Sequence, residues 1–153
     1  MEKLKLPDYR FRIKKVSGSR LLIFDEIRQK NILLTPEEWV RQHILRFLVE
    51  EKKYPSGLIS IESEVKLNRL MRRYDALIHN RQGKPVLLVE CKAPSVKIKQ
   101  DTFDQILAYN RSIKAAYMLV TNGLKHYCCH INPDSKKFDF LSDIPDYATI
   151  AGK

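Results

Sequence analysis

Apolar residues along this chain recur in two rhythms. In "TPEEWVRQHILRFLVEEKKYPSG", Val40, Ile44, Phe47 and Leu48 return at helical spacing. Thr35 caps the start, Pro36 takes the first helical position, Glu37 and Glu38 sit at the positive end of the dipole, and "YPSG" stops the run. "KQDTFDQILAYNRSIKA" predicts a second helix with Phe103, Ile106 and Leu107 inward. Between the two, "ISIESEVKL", "RYDALIHN" and "KPVLLVECK" read as three strands, the last pair joined by a hairpin turn at Asn80 to Gly83. "AYMLVTNG" and "LKHYCCHI" are two more strands. The opening third, "YRFRIKKV" and "SGSRLLIFDEIRQKNILL", is rich in β-formers and predicts a hairpin or a pair of short strands joined at Ser17-Gly18-Ser19.

The order is therefore helix, three strands, helix, two strands, behind a strand-rich arm. A meander followed by a helical crossover gives an α/β fold, a central mixed β-sheet flanked by helices. The unbroken apolar run Val86 to Val89 puts its strand at the centre, covered on both faces. At 153 residues and 44% hydrophobic the chain fits one domain: an arm over 1–34, a core over 35–132 and a short turn-rich tail over 133–153.

A formal charge of +10 calls for an anionic partner, nucleic acid ahead of an anionic membrane. No segment has the apolar core of a secretory signal or transmembrane length. Three cysteines, two of them adjacent and Cys91 inside an apolar strand, make no disulfide framework. These features predict a soluble, cytoplasmic protein with no membrane partner.

Glu90 and Lys92 end the most hydrophobic strand and, two apart, point to one face. Pairing about the Asn80–Gly83 turn brings Asp75 level with Glu90 or Lys92. Two carboxylates and an amine at the end of a buried sheet are costly unless their charge is balanced, and a divalent cation with oxygen ligands balances it. Magnesium suits such a site, with manganese as a substitute; the metal activates water and stabilises phosphate charge, and Lys92 assists.

Asp75, fourteen intervening residues, then Glu90-Cys91-Lys92 resembles the PD-(D/E)XK nuclease signature. With "TPEEWVRQHILRFLVEEKKYP", "YDALI" and "LLVECKAP", residues 34–132 are similar to the N-terminal nuclease domain of type I restriction enzyme R subunits. The resemblance implies a restriction-endonuclease-like core and a metal-dependent endonuclease acting on DNA, with RNA as an alternative. Asp75 and Glu90 would be the metal ligands and Lys92 the catalytic lysine. Gln105 and Tyr109, at i and i+4 on one helix face, match the family's glutamine-and-tyrosine motif. The family's first-helix glutamate corresponds best to Glu38, with Glu37 the other candidate. Tyr74 stands where the family name has proline, a position that is not a ligand. The R-subunit motor is missing from this stretch, since no Gly-x-x-x-x-Gly-Lys loop occurs; a protein partner supplying target recognition or a motor is therefore expected.

Lys66, Arg69, Arg72 and Arg73, just before Asp75, and Lys97 and Lys99, beyond Lys92, are candidate DNA-backbone contacts; solvated surface charge is the plain alternative. "HYCCH" has the residue types of a zinc site, but zinc ligands come from separate loops, so a packed strand is expected. Trp39 reads as core or staple. The competing function is a non-catalytic nucleic-acid-binding or docking module of a restriction or repair complex. The sequence leaves the oligomeric state open, with a dimer suited to double-strand cutting.

Overall fold

The computed structural model describes residues 1–61, 64–67, 70–132 and 137–152, with backbone alone for 64–67 and 70–73. Its core is a six-stranded mixed sheet. Helix α1 spans Pro36–Glu50, and the strands that follow it are β4 (Ile59–Ile61), β7 (Ala76–His79), β8 (Pro85–Cys91), β9 (Tyr117–Thr121), β10 (His126–Ile131) and β11 (Phe138–Phe140). Their order in the sheet is β11-β10-β9-β8-β7-β4. Strand β8 is central, antiparallel to β7 and parallel to β9, and helix α2 (Gln100–Ile113) makes the crossover between the parallel pair.

The helix signals act as expected. Thr35 accepts the Glu38 amide at 3.1 Å and Pro36 takes the first turn of α1. Helix α2 ends at Lys114 in the left-handed region (φ 62°). Asn110 holds that turn, donating to the Ala115 carbonyl and accepting the Ala115 amide, both at 2.9 Å.

The two sheet faces bury separate clusters. Val40, Ile44 and Leu48 of α1 pack with Ile78, Leu87 and Val89 on one side. Phe103 and Ile106 of α2 pack with Leu77, Leu88 and Met118 on the other. Each such fully buried aliphatic side chain contributes about 1.5–3 kcal/mol, and the alternation along β8 explains why its apolar run is unbroken.

Three stretches depart from the sequence reading. "ISIESEVKL" breaks into β4 and β5 (Glu64–Leu67), and β6 (Leu70–Arg73), ending where "RYDALIHN" begins, pairs with β5 in a hairpin outside the main sheet. The arm forms three strands, β1 (Ile13–Lys15), β2 (Leu21–Asp25) and β3 (Lys30–Leu33), the chain turning with φ 55° at Gln29 within the β-former-rich stretch that follows Ser17-Gly18-Ser19. The tail supplies β11, pairs with β10, and buries Ile144, Tyr147 and Ile150 in the α1-side cluster, with α3 spanning Tyr147–Ile150. Three-residue and four-residue elements are too short for periodicity to register.

Candidate functional site

The β7–β8 turn sets the register. Asn80 Oδ1 accepts the amides of Gln82 and Lys84 at 3.0 and 2.9 Å, and Gly83 adopts φ +80°, a conformation open to glycine at little cost. Ala76 then faces Val89, which brings the next positions, Asp75 and Glu90, level with each other. The ladder stops there. The Cys91 amide donates instead to Asp75 Oδ2 at 2.7 Å, fixing the carboxylate against the end of β8. On the other side of β8, the Lys92 amide donates to the Thr121 carbonyl of β9 at 2.8 Å, and Asn122 holds the following loop through the Val96 carbonyl.

Asp75, Glu90 and Lys92 thus converge. Glu90 Oε1 lies 3.9 Å from Lys92 Nζ. Asp75 and Glu90 are 8% and 9% exposed, while the Lys92 side chain is 30% exposed and so reaches solvent. Burial, then the charge of Asp75 and a hydrogen bond with it, push the Glu90 carboxyl up to about 9, against the pull of Lys92.

Helix α1 brings four polar side chains to this end of the sheet. Glu38, the first-helix glutamate expected from sequence, is 4% exposed and bonded to Arg41, to Gln42 at 2.9 Å and to Arg28 at 3.3 Å. Arg41 reaches onward, its Nη1 lying 3.4 Å from Asp75 Oδ1. Glu37 is exposed as a whole, yet desolvation at its carboxyl and the Asp75 charge raise its pKa, with Lys92 and Arg41 opposing. The structure therefore places Glu37 in the electrostatic field of Asp75 and Lys92, and Glu38 behind Arg41.

The other candidates lie on α2, in the loop before it, on β10 and on α1, or outside the described residues. Gln105 is exposed and Tyr109 half-buried on α2, which packs on β8 and on β5. Lys97 and Lys99 are exposed in the loop that leads from Lys92 to α2. Arg69 lies outside the described residues, as do the side chains of Lys66, Arg72 and Arg73. In "HYCCH" both ring nitrogens of His126 are engaged, with Thr121 Oγ1 at 2.7 Å and the Lys5 carbonyl at 2.9 Å. Burial pushes the thiols of Cys128 and Cys129 up to about 12. Trp39 is half-buried against Phe11 and His43, joining the arm to α1.

Sequence reasoning missed the polar core behind the site. Asp25, 1% exposed, accepts from the Ile27 and Arg28 amides, from Arg28 Nε at 2.7 Å and from Gln42 at 3.0 Å. The chain Asp25, Arg28, Glu38, Arg41, Asp75 runs from the arm to the site. Its legible trace is the i, i+3 spacing of Glu38 and Arg41; the long-range links to Asp25 and Arg28 leave none.

Among the described residues no group of three or more His, Cys, Asp or Glu is arranged to hold a metal ion. The donor set nevertheless fits magnesium, which takes one or two carboxylates and completes its shell with water and phosphate. Among the described residues and counted as ionised, five carboxylates (Asp25, Glu37, Glu38, Asp75, Glu90) face three cations (Arg28, Arg41, Lys92), which leaves two negative charges. A divalent cation matches that surplus. Among the described residues no helix is long and apolar enough to cross a membrane.

Comparisons with known proteins accord with this architecture. A search of curated proteins finds no match. A solved chain described as a fragment of an HsdR subunit of a type I restriction enzyme, from Vibrio vulnificus YJ016, superposes with a TM-score of 0.54 at 18% identity. The match covers 76% of this chain and 24% of that one, so the likeness concerns the fold and spans about a quarter of the relative's length. The model of the family "Type I restriction enzyme R protein N terminus" matches residues 36–145, from the first residue of α1 to the segment before α3. This chain belongs to the type I restriction enzyme R protein N-terminus family.

Proposed function

We propose that this chain is a metal-dependent endonuclease of the PD-(D/E)XK type that hydrolyses phosphodiester bonds of DNA, a type I R-subunit-like nuclease domain. The observation that carries the reading is the meeting of Asp75, Glu90 and Lys92 at the solvent-reaching end of β8, with Asp75 fixed by the Cys91 amide. Magnesium would be held by Asp75 and Glu90, with manganese as a substitute. A bound divalent cation supplies Lewis acidity toward the phosphate and a lowered pKa for water. The chain's own residues do the rest. Asp75 is anchored on the β8 backbone through the Cys91 amide, so its own carboxylate needs little reorganisation. Lys92, 3.9 Å from Glu90 and open to solvent, orients the attacking water and neutralises charge on the phosphate as the new P–O bond forms and the old one breaks. The leaving oxygen takes its proton from solvent. Exposed Lys97 and Lys99 flank this end of the sheet and attract the nucleic-acid backbone.

The test is Lys92→Ala assayed with supercoiled plasmid in Mg²⁺, beside a gel shift in EDTA. Nicking falls by at least about a hundredfold, the scale on which a positioned acid–base or electrostatic group acts, while binding in EDTA stays within a factor of two. Undiminished nicking by Lys92→Ala overturns the assignment. Binding in EDTA with no metal-dependent nicking by the unaltered protein favours the alternative of a nucleic-acid-binding or docking module.

A further inference from the structure

Arg41 stands out in the buried polar groups of α1, because its guanidinium lies inside the acidic pocket rather than beside it. Its side chain is 6% exposed. One end is bonded to Glu38 through Nε and Nη2, and Nη1 lies 3.4 Å from Asp75 Oδ1. Asp75 needs no help to be oriented, since the Cys91 amide holds its other oxygen at 2.7 Å. Glu38 is in turn held by Arg28 and Gln42, and both of those contact Asp25 of the arm. The guanidinium is thus clamped from behind by a group that is itself clamped from the arm.

We infer that Arg41 is a resident cation of the Asp75–Glu90 pocket, a positioning residue whose fixed charge weakens the pocket's hold on a divalent ion. This rests on the reading of Asp75 and Glu90 as the ion's ligands. A divalent ion and a guanidinium that both touch Asp75 lie about 5 Å apart, and even at the dielectric constant of water their repulsion costs about tenfold in affinity. Weak binding has a use: an ion held mainly through the phosphate it shares with the substrate engages only when nucleic acid is present. The arm matters because Arg28 and Asp25 keep Glu38, and hence Arg41, from swinging out of the pocket.

The experiment is a titration of the full chain with Mn²⁺, without nucleic acid, read from the electron paramagnetic resonance of free Mn²⁺. Compared are the unaltered protein, Arg41→Met, Arg41→Lys and Glu38→Gln/Arg41→Met, the last to remove both ends of the Glu38–Arg41 pair together. Circular dichroism melts show which variants keep the fold. Expected is about tenfold tighter Mn²⁺ binding in Arg41→Met and in the double variant, and affinity within a factor of three of the original in Arg41→Lys, which restores the charge. A purely structural role would weaken binding or leave it unchanged, and Arg41→Lys would not return it. If the unaltered protein binds Mn²⁺ and the folded Arg41 variants bind no tighter, the inference fails while the ligand reading stands. If neither the unaltered protein nor any variant binds, both fail together.

Discussion

Asp25 offers the sharpest test of the buried polar core, because all four groups around it are donors. The amides of Ile27 and Arg28 meet Oδ1 at 2.8 and 2.9 Å, and Arg28 Nε and Gln42 Nε2 meet Oδ2 at 2.7 and 3.0 Å. Asp25→Asn preserves volume and removes no packing, yet either orientation of the amide points an NH₂ at two donors. A buried donor left unsatisfied costs about 1–3 kcal/mol. Arg28 keeps its contact with Glu38, which places the expected loss near 3 kcal/mol at pH 7, a large fraction of the 5–15 kcal/mol typical of a domain. Burial alone would raise the Asp25 pKa, but the Arg28 amide and side chain and the Gln42 amide outweigh it, and the pKa is lowered. A depressed folded-state pKa contributes stability above the unfolded value, about 3.9, that is lost as pH falls through the folded value. The asparagine has no such proton to take up. The gap between the two proteins is therefore full at pH 7 and closes as pH drops below about 4. Urea unfolding at several pH values measures it, followed by circular dichroism and by the single tryptophan, Trp39, at the arm–α1 contact. A gap below 1 kcal/mol at pH 7, or one that does not narrow in acid, refutes the reasoning.

Two further substitutions probe the supports of the site. Gly123 sits at φ +85° in the turn after β9, where an added Cβ would meet Leu4 Cδ2 at 2.7 Å and Val40 Cγ2 at 3.1 Å. Gly123→Ala is expected to lose at least about 1–2 kcal/mol from the left-handed backbone alone, seen as a lowered urea midpoint, and to loosen the Lys5 amide that donates to the Gly123 carbonyl. Asn110→Ala strips both hydrogen bonds from Ala115 and should cost about 2 kcal/mol in the same assay. Its effect belongs to α2, so Mn²⁺ affinity at Asp75 and Glu90 should stay unchanged.

How much of this was written locally explains what could be read. The caps of α1, the turn at Asn80–Gly83 and the run at Val86–Val89 depend on neighbours within a few residues, so residue type alone revealed them. The pairing of Asp75 with Glu90 followed because a tight hairpin turns sequence distance into register. What escaped has no local signature. Arg28 finds Glu38 ten residues on, and Arg41 finds Asp75 thirty-four residues on, across a packing of helix against sheet that periodicity does not describe. Glu38, preferred from sequence over Glu37, differs from it by about 100° in direction on the helix, and its contacts with Arg28 and Arg41 are of the same long-range or cross-turn kind.

The distribution of charge argues that this end of the sheet is more than a salt-bridge network. Asp25, Arg28, Glu38 and Arg41 alternate in sign, balance one another and are buried or nearly so. Apolar residues of similar volume would often hold the fold as well as such a set or better. Among the described residues Asp75, Glu90 and Glu37 lie beside Arg41 and Lys92, and carboxylates outnumber cations where Lys92 and Glu37 reach solvent. A structural ion pair has no physical reason to carry an unbalanced acid into a dry site and raise its neighbour's pKa to about 9. On the function proposed above, the pocket takes up positive charge from solution. The neutral set serves it by fixing where the surplus sits, which is why substitutions at Asp25 should act through stability and those at Arg41 through ion affinity.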